Sequence, residues 1–264
     1  MDSNLNFMLE ELKSDYGLLS LKAGTEWEDM NYAEINHLHS LGQGELPILV
    51  KIAGPEAKTD LRHLRAIGVN GILGPMIESE YALEKFVVTT KGAYEGSGIT
   101  PLLAINIETI QGYQQLDVLL ASPYFQDIDT VVIGRLDLSL SMRISDVDNP
   151  EVVQITQDVA RRVRQAGKHV SIGGFVNPGS AGSLQDADVD RLSTIHTMFD
   201  LAKVKDPGTS IWKAIEFEIA YYQSLLTVHP ERNAFYRERI DVSQAKLDKA
   251  AELMIPPKAV GAAR

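Results

Sequence analysis

Short apolar runs recur along the chain, each followed by a segment of helical periodicity. The runs are GLLSLK (17–22), PILVKI (47–52), GILGPM (71–76), LLAINI (102–107), TVVIG (130–134) and HVSIGG (169–174), with a weaker one at RLSTI (191–195). They are too nearly continuous in apolar residues for strands with one wet face, so the pattern predicts strands covered on both sides, as in a parallel sheet. Between them, EAKTDLRHLRAIG sets Ala57, Leu61 and Leu64 on one helical face. NPEVVQITQDVARRVRQAGK does the same with Val152, Ile155, Val159 and Val163, opening at Pro150 and stopping at Gly167. Strand and helix alternating at this spacing predict βα units. The expected fold is therefore α/β, a TIM-type (β/α) barrel. Seven strands stand out rather than eight, so the barrel is expected to be irregular or completed by a segment the pattern conceals.

After residue 205 the character changes. DPGTSIWKAIEFEIAYYQSLL reads as a long amphipathic helix with Trp212, Ile215, Ile219 and Tyr222 in one stripe, and a more charged helix comes next at about 241–254 before a PPKAVGAAR tail. The expected organisation is a barrel over 1–205 and a helical extension over 206–264 that packs on it or on a partner subunit, with no linker dividing two domains.

Composition narrows the function. The 264 residues carry a net charge of −11, which lacks the basic footprint of a nucleic-acid binder. The absence of cysteine excludes disulfides, thiolate metal sites and cysteine nucleophiles. No run approaches the roughly 18 apolar residues needed to span a bilayer, and the N-terminus lacks an apolar signal core. A cytoplasmic protein without membrane or nucleic-acid partners is the expectation.

In parallel α/β folds, chemistry collects at the C-terminal ends of the strands. The residues at and just past the end of these runs are rich in charge: Lys22 with Glu26 and Glu28, Lys51 with Gly54, Glu78, Asn106 with Glu108, and Gly134 with Arg135 and Asp137. Carboxylates crowded there resist ionisation unless a cation relieves them. A hard divalent ion such as Mg²⁺ typically uses one or two carboxylates plus waters and substrate oxygens. Glu108 and Asp137 make the best pair because both lie just beyond apolar strands expected to be neighbours. Against this stands the commoner role of an acid just past a strand, as an N-cap or first-turn residue. That role suits Glu56, Glu80 and Glu84, and it weighs about evenly for Glu26, Glu28 and Glu78. His196 is a minor candidate facing the mouth. The glycine-rich VSIGGFVNPGSAG (170–182) reads as a tight turn rather than a phosphate loop.

These residues resemble a known family. INIETIQGY, then VVIGRLDLSLSM, is similar to the paired metal signatures of the HpcH/HpaI aldolase and citrate lyase β-subunit superfamily. GVNGILGPMIES resembles its third-strand motif and LVKIAGPEA its substrate-binding strand, so the likeness runs in order from about 17 to 180. More narrowly, the whole pattern resembles the aldolase/citrate-lyase-like branch. The resemblance implies that Glu108 and Asp137 bind Mg²⁺ or Mn²⁺ and that the backbone at Gly134 approaches the substrate. It implies a lyase or aldolase acting on a small 2-oxo acid, β-hydroxy acid or acyl thioester through a metal-stabilised enolate, in either direction. It also implies homo-oligomers joined by C-terminal helices.

Two departures matter. The family's second-strand arginine is Lys51 here, which keeps the charge and loses the bidentate fork; Arg135 is its expected substitute. The acid–histidine pair after the first strand is missing, so proton transfer is expected to fall to Glu26, Glu28 or Lys22. Lys22, Gly54, Glu78 and Gly134 are the expected substrate-binding residues, and Lys51 and Arg135 join Glu26 and Glu28 as catalytic candidates. Two alternatives remain: a Schiff-base aldolase using Lys51 or Lys22, and a non-catalytic barrel that binds a small acid.

Overall fold

A computed structural model describes residues 2–185 and 187–254. Eight strands close into one barrel in chain order. They are β1 (Leu18–Gly24), β2 (Ile48–Lys51), β3 (Gly71–Gly74), β4 (Leu102–Ile107), β5 (Thr130–Gly134), β6 (His169–Gly173), β7 (Arg191–Ser193) and β8 (Thr197–Asp200). Neighbours from β1 through β7 are parallel, whereas β8 is antiparallel to both β7 and β1. The concealed eighth strand is thus TMFD. Only residues 194–196 separate it from β7, closed by Thr194 N–H donating to the Thr197 carbonyl at 2.9 Å. A parallel crossover needs about a dozen residues, so a link this short can only be a hairpin.

The helices are α1 (Asp2–Asp15), α2 (Tyr32–Leu41), α3 (Lys58–Ile67), α4 (Glu80–Tyr94), α5 (Ile110–Gln114), α6 (Leu116–Ala121), α7 (Arg135–Ser141), α8 (Pro150–Gln165), α9 (Ala181–Gln185), α10 (Pro207–Val228) and α11 (Asn233–Met254). Strand alternation sorts the core into two layers. Ile48, Val50, Ile72, Ile105, Val131, Ile133, Val170 and Ile172 pack outward under the helices. Leu49, Leu73, Ala104, Val132 and Met198 fill the barrel interior as a separate cluster. Among the described residues no helix is long and apolar enough to cross a membrane.

The reversed β8 redirects the rest of the chain. It ends beside the start of β1, where Asp200 N–H donates to the Gly17 carbonyl at 3.0 Å. From there α10 climbs toward the strand ends. Its Ser210 hydroxyl bonds the Tyr16 carbonyl below β1, and Glu218 further up accepts from His196 N–H at the β7–β8 turn. Its buried face includes Ile211, Ala214, Ile215, Phe217, Glu218, Tyr221, Tyr222 and Leu225, wider than the single stripe expected. The final helix begins at Asn233, earlier than its sequence pattern indicates, and packs back along α10. The corner between them is fastened to α2. Arg232 donates to both oxygens of the buried Glu34 at 3.1 and 2.9 Å, and the Tyr236 hydroxyl bonds the same carboxylate. The PPKAVGAAR tail lies outside the described residues.

Candidate active site

The two-residue period that buries Leu49, Ala104 and Val132 inside the barrel carries Lys51, Asn106, Glu108 and Gly134 to the same face one or two steps later. Those positions lie at the C-terminal strand ends, where a cavity of about 330 Å³ opens. Lys22, Glu28, Lys51, Glu108, Gly134 and Asp137 all line it, together with Asn106.

Glu108 is 2% exposed and held at both oxygens. Met76 N–H donates to Oε1 at 3.0 Å, while the Asn106 amide and the Lys51 ammonium, at 3.2 Å, donate to Oε2. Gly134 makes room for this carboxylate, because a Cβ there would lie 2.7 Å from Glu108 Cβ and 2.8 Å from Oε2. Met76 supplies its N–H from a positive φ of 46°, a conformation costing of order 1 kcal/mol that is maintained here by the bond to Glu108.

Asp137 stands in the first turn of α7, half-buried and with no hydrogen-bond donor among the described residues. Burial and the nearby Glu108 charge raise its pKa above the ordinary aspartate value. Lys51 offsets this only in part, because it is shared between Glu108 and Glu26. Lys51 has the opposite balance. Burial opposes its charge, but Glu108 and the 2.8 Å ion pair with Glu26 outweigh that and hold its pKa above the normal lysine value. Lys22, 8% exposed and bonded to the Thr194 carbonyl at 3.2 Å, is governed by burial, which lowers its pKa despite Glu28 nearby. Glu28 is buried, and its Oε2 has no hydrogen-bond partner among the described residues.

Glu108 and Asp137 suit a divalent cation. Asp137 lacks a donor and is destabilised as an anion by burial and by Glu108, which is the environment that added positive charge relieves. Among the described residues no three acidic or histidine side chains form a closed metal cage. Two carboxylates with substrate oxygens completing the shell are the usual arrangement for Mg²⁺.

Several expected residues lie elsewhere. Arg135 is 1% exposed, is not among the residues lining the cavity, and donates to Asp148 at 3.0 Å. It opens α7 rather than continuing β5, so the helix and not the strand alternation sets its direction. Gly54 sits outside the cavity with open space around it, and Glu78 accepts from the Thr109 hydroxyl that caps α5. Glu26 reaches the site only through Lys51. His196 is fully buried off the cavity, bonded to the Tyr222 hydroxyl at 2.8 Å and the Lys22 carbonyl at 3.1 Å, a structural histidine whose pKa burial lowers.

Sequence reasoning missed the upper wall. Trp27, Phe175, Glu218, Arg239, Val242 and Lys246 also line the cavity. Arg239 donates to the Trp27 carbonyl at 3.0 Å and lies 4.2 Å from its ring, so α11 is seated directly on the loop after β1. The available signal was the spacing 239, 242, 246, one face of a helix.

The family model for HpcH/HpaI aldolase/citrate lyase matches residues 49–177, a span that holds Lys51, Glu108, Gly134 and Asp137 and ends before α10 and α11. No curated protein matches the chain. Among solved structures, an HpcH/HpaI aldolase from Desulfitobacterium hafniense DCB-2 is 18% identical, with a TM-score of 0.59 over 72% of this chain and 81% of that one. The citrate synthase SbnG is 15% identical, with a TM-score of 0.55 over 83% of this chain and 98% of that one. A citrate lyase from Burkholderia xenovorans LB400 is 14% identical, with a TM-score of 0.53 over 88% and 94%. At these identities the likeness establishes a shared barrel fold.

Proposed function

We propose that the chain, whose residues 49–177 match the family model for HpcH/HpaI aldolase/citrate lyase, is a divalent-metal-dependent carbon–carbon lyase of that family. It would act on a small 2-oxo or β-hydroxy acid, in the cleaving or condensing direction. The observation that carries this reading is the pairing of Glu108 with Asp137 beside Lys51 on one cavity floor. Glu108 and Asp137 would hold Mg²⁺ or Mn²⁺. The chemistry such an ion supplies when bound is Lewis-acid stabilisation of negative charge developing on a substrate oxygen.

The chain's own groups do the rest. Lys51 stays charged and attracts the substrate carboxylate, with Glu26 and Glu108 fixing its ammonium. Gly134 keeps Glu108 in place by having no side chain. Glu28 is the better proton carrier of the two first-loop acids, because its Oε2 is unpartnered among the described residues and it lines the cavity, while Glu26 is spent on Lys51. A positioned proton carrier typically contributes about 10²- to 10⁴-fold in rate. Assembly as a homo-oligomer in the cytoplasm accompanies the proposal.

Calorimetric titration of Mg²⁺ and Mn²⁺, with and without oxalate, tests the reading on the parent, Glu108→Gln and Asp137→Asn. Metal binding that oxalate strengthens and that both substitutions abolish is expected. A parent that binds neither ion refutes it. One observation favours a second reading: burial lowers the Lys22 pKa, the condition for a Schiff-base nucleophile, whereas Lys51 is held charged. Borohydride trapping of pyruvate on the parent and not on Lys22→Met would select that alternative.

A further inference from the structure

The loop after β1, residues 25–31, is gripped from outside by the C-terminal part of the chain. Arg239 donates to the Trp27 carbonyl at 3.0 Å and stacks on the Trp27 ring, 4.2 Å from its centroid. Arg232 donates through Nη2 to the Asp29 carbonyl and to Asp29 Oδ2, both at 2.7 Å, while its Nη1 engages Glu34. The two carbonyls belong to the residues immediately before and after Glu28. Among the described residues no backbone N–H donates to either of them, so the arginines supply donors that the loop itself lacks. A charged donor makes such a bond stronger than a neutral one would.

Burial alternates across this bracket. Trp27 and Asp29 are exposed, whereas Glu28 is buried and lines the cavity. Its carboxylate lies over Gly24 at the end of β1, where any side chain would overlap Glu28 Oε2. That oxygen has no hydrogen-bond partner among the described residues, so the direction of the side chain is set chiefly by its backbone. Asp29 completes the turn with a positive φ of 49°, an uncommon conformation for a residue other than glycine, and Arg232 bonds both its carbonyl and its side chain.

We infer that Arg239 and Arg232 are positioning residues for Glu28: clasping the carbonyls on either side, they keep its carboxylate turned into the cavity, where it moves the substrate proton. The inference rests on the lyase reading's assignment of Glu28 as proton carrier. Glu28, Arg232 and Arg239 all lie outside residues 49–177, so the family match assigns them no role. The C-terminal helix then does more than cover the strand ends, because its seat aims a reacting group.

Exchange of the pyruvate methyl protons for deuterium in heavy water, followed by NMR with Mg²⁺ present, reads the proton transfer. Glu28 Oε2 would take one methyl proton, leaving the C–H electron pair in the enolate, and return a deuteron to the same carbon. Glu28→Gln should slow exchange about 10²- to 10⁴-fold. Arg239→Met should slow it about 10- to 100-fold by misplacing that carboxylate. Arg239→Lys, which keeps a donor and a cation over the ring, should restore most of the rate. The deciding measurement is Arg239→Met in the Glu28→Gln background, where it should cost nothing further because no carboxylate is left to aim. An equal loss in both backgrounds, or full-rate exchange in Arg239→Met, overturns the inference. A parent that binds metal and oxalate yet exchanges no proton overturns it too.

Amide hydrogen exchange on the metal-free full chain tests the clasp without the lyase reading. Residues 25–31 should exchange about tenfold or more faster in Arg239→Met and in Arg232→Met, with β4 and β5 unchanged. Unaltered protection of that loop overturns the inference even in an active lyase. Faster loop exchange in a chain whose parent binds no metal would refute the lyase reading and leave the clasp standing. Thermal unfolding of each variant verifies that it is folded.

Discussion

Lys51→Met retains most of the side-chain volume while deleting the charge between Glu26 and Glu108. In the parent, the ammonium lies 3.2 Å from a Glu108 carboxylate that is almost wholly buried, and 2.8 Å from the more accessible Glu26. Removing one partner of a buried pair typically costs about 3–5 kcal/mol, because the other charge remains unpaired. The cavity reaches solvent, and Met76 and Asn106 still donate to Glu108, so the low end of about 3 kcal/mol is expected here. For a chain of this size, that corresponds to a fall in Tm of about 6–12 °C. The pH dependence has a definite sign. Burial opposes the Lys51 charge, but Glu108 and Glu26 outweigh burial and hold the folded-state pKa of Lys51 above its unfolded value, so its contribution is fully present below the unfolded pKa and is lost only as pH rises through the folded one. The gap between parent and variant should therefore stay constant from about pH 6 to about pH 9. Scanning calorimetry across that range is the assay, with Glu108→Gln added to the variant. The double substitution should recover most of the lost Tm, since no buried anion is left behind. A loss under about 3 °C, or no recovery in the double variant, would show that Lys51 does not compensate Glu108.

The packing carries two more expected outcomes. Gly134→Ala places a methyl group inside the space of Glu108, and at φ −88° the backbone itself tolerates alanine. Lyase activity and metal affinity should fall by about 10- to 100-fold while Tm drops by only a few degrees, as enzyme kinetics and unfolding scans would reveal; unchanged metal affinity would contradict the crowding. Glu34→Gln weakens the fastening of Arg232 and Tyr236 at the α10–α11 corner, while Arg232 keeps its 2.7 Å contact to Asp29. A loss of about 1.5–3 kcal/mol in urea unfolding, with faster proteolysis within α11, is expected, and unaltered proteolysis would count against the corner as an anchor.

The floor of the site is legible in the sequence because its residues obey the strand period. Once LLAINI is read as a strand, Asn106 and Glu108 must share a face, and TVVIG puts Gly134 on the corresponding face beside them. Arg135 is displaced because it opens a helix: proximity to Gly134 in sequence suggests the mouth, while the first turn of α7 places it against Asp148. β8 is concealed because TMFD is short and merges with the run before it. The upper wall is illegible for a different reason. A charged face on α11 has the composition of a solvated helix surface, and only tertiary packing distinguishes Arg239 and Lys246 from ordinary exposed cations.

The reversal of one four-residue strand has a consequence for how the molecule can diversify. In a barrel whose last strand runs with the others, the final helix descends as one more outer wall. Here it ascends as a post, and the next helix becomes a roof laid across the strand ends. Foundations and roof are thereby separate stretches of chain, connected through a three-residue turn, a fastened corner and the seat of α11 on the loop after β1. Substitutions along one exposed helical face can remodel what the chamber admits without disturbing the acids and lysine beneath, so substrate choice and reaction type are free to evolve on independent schedules.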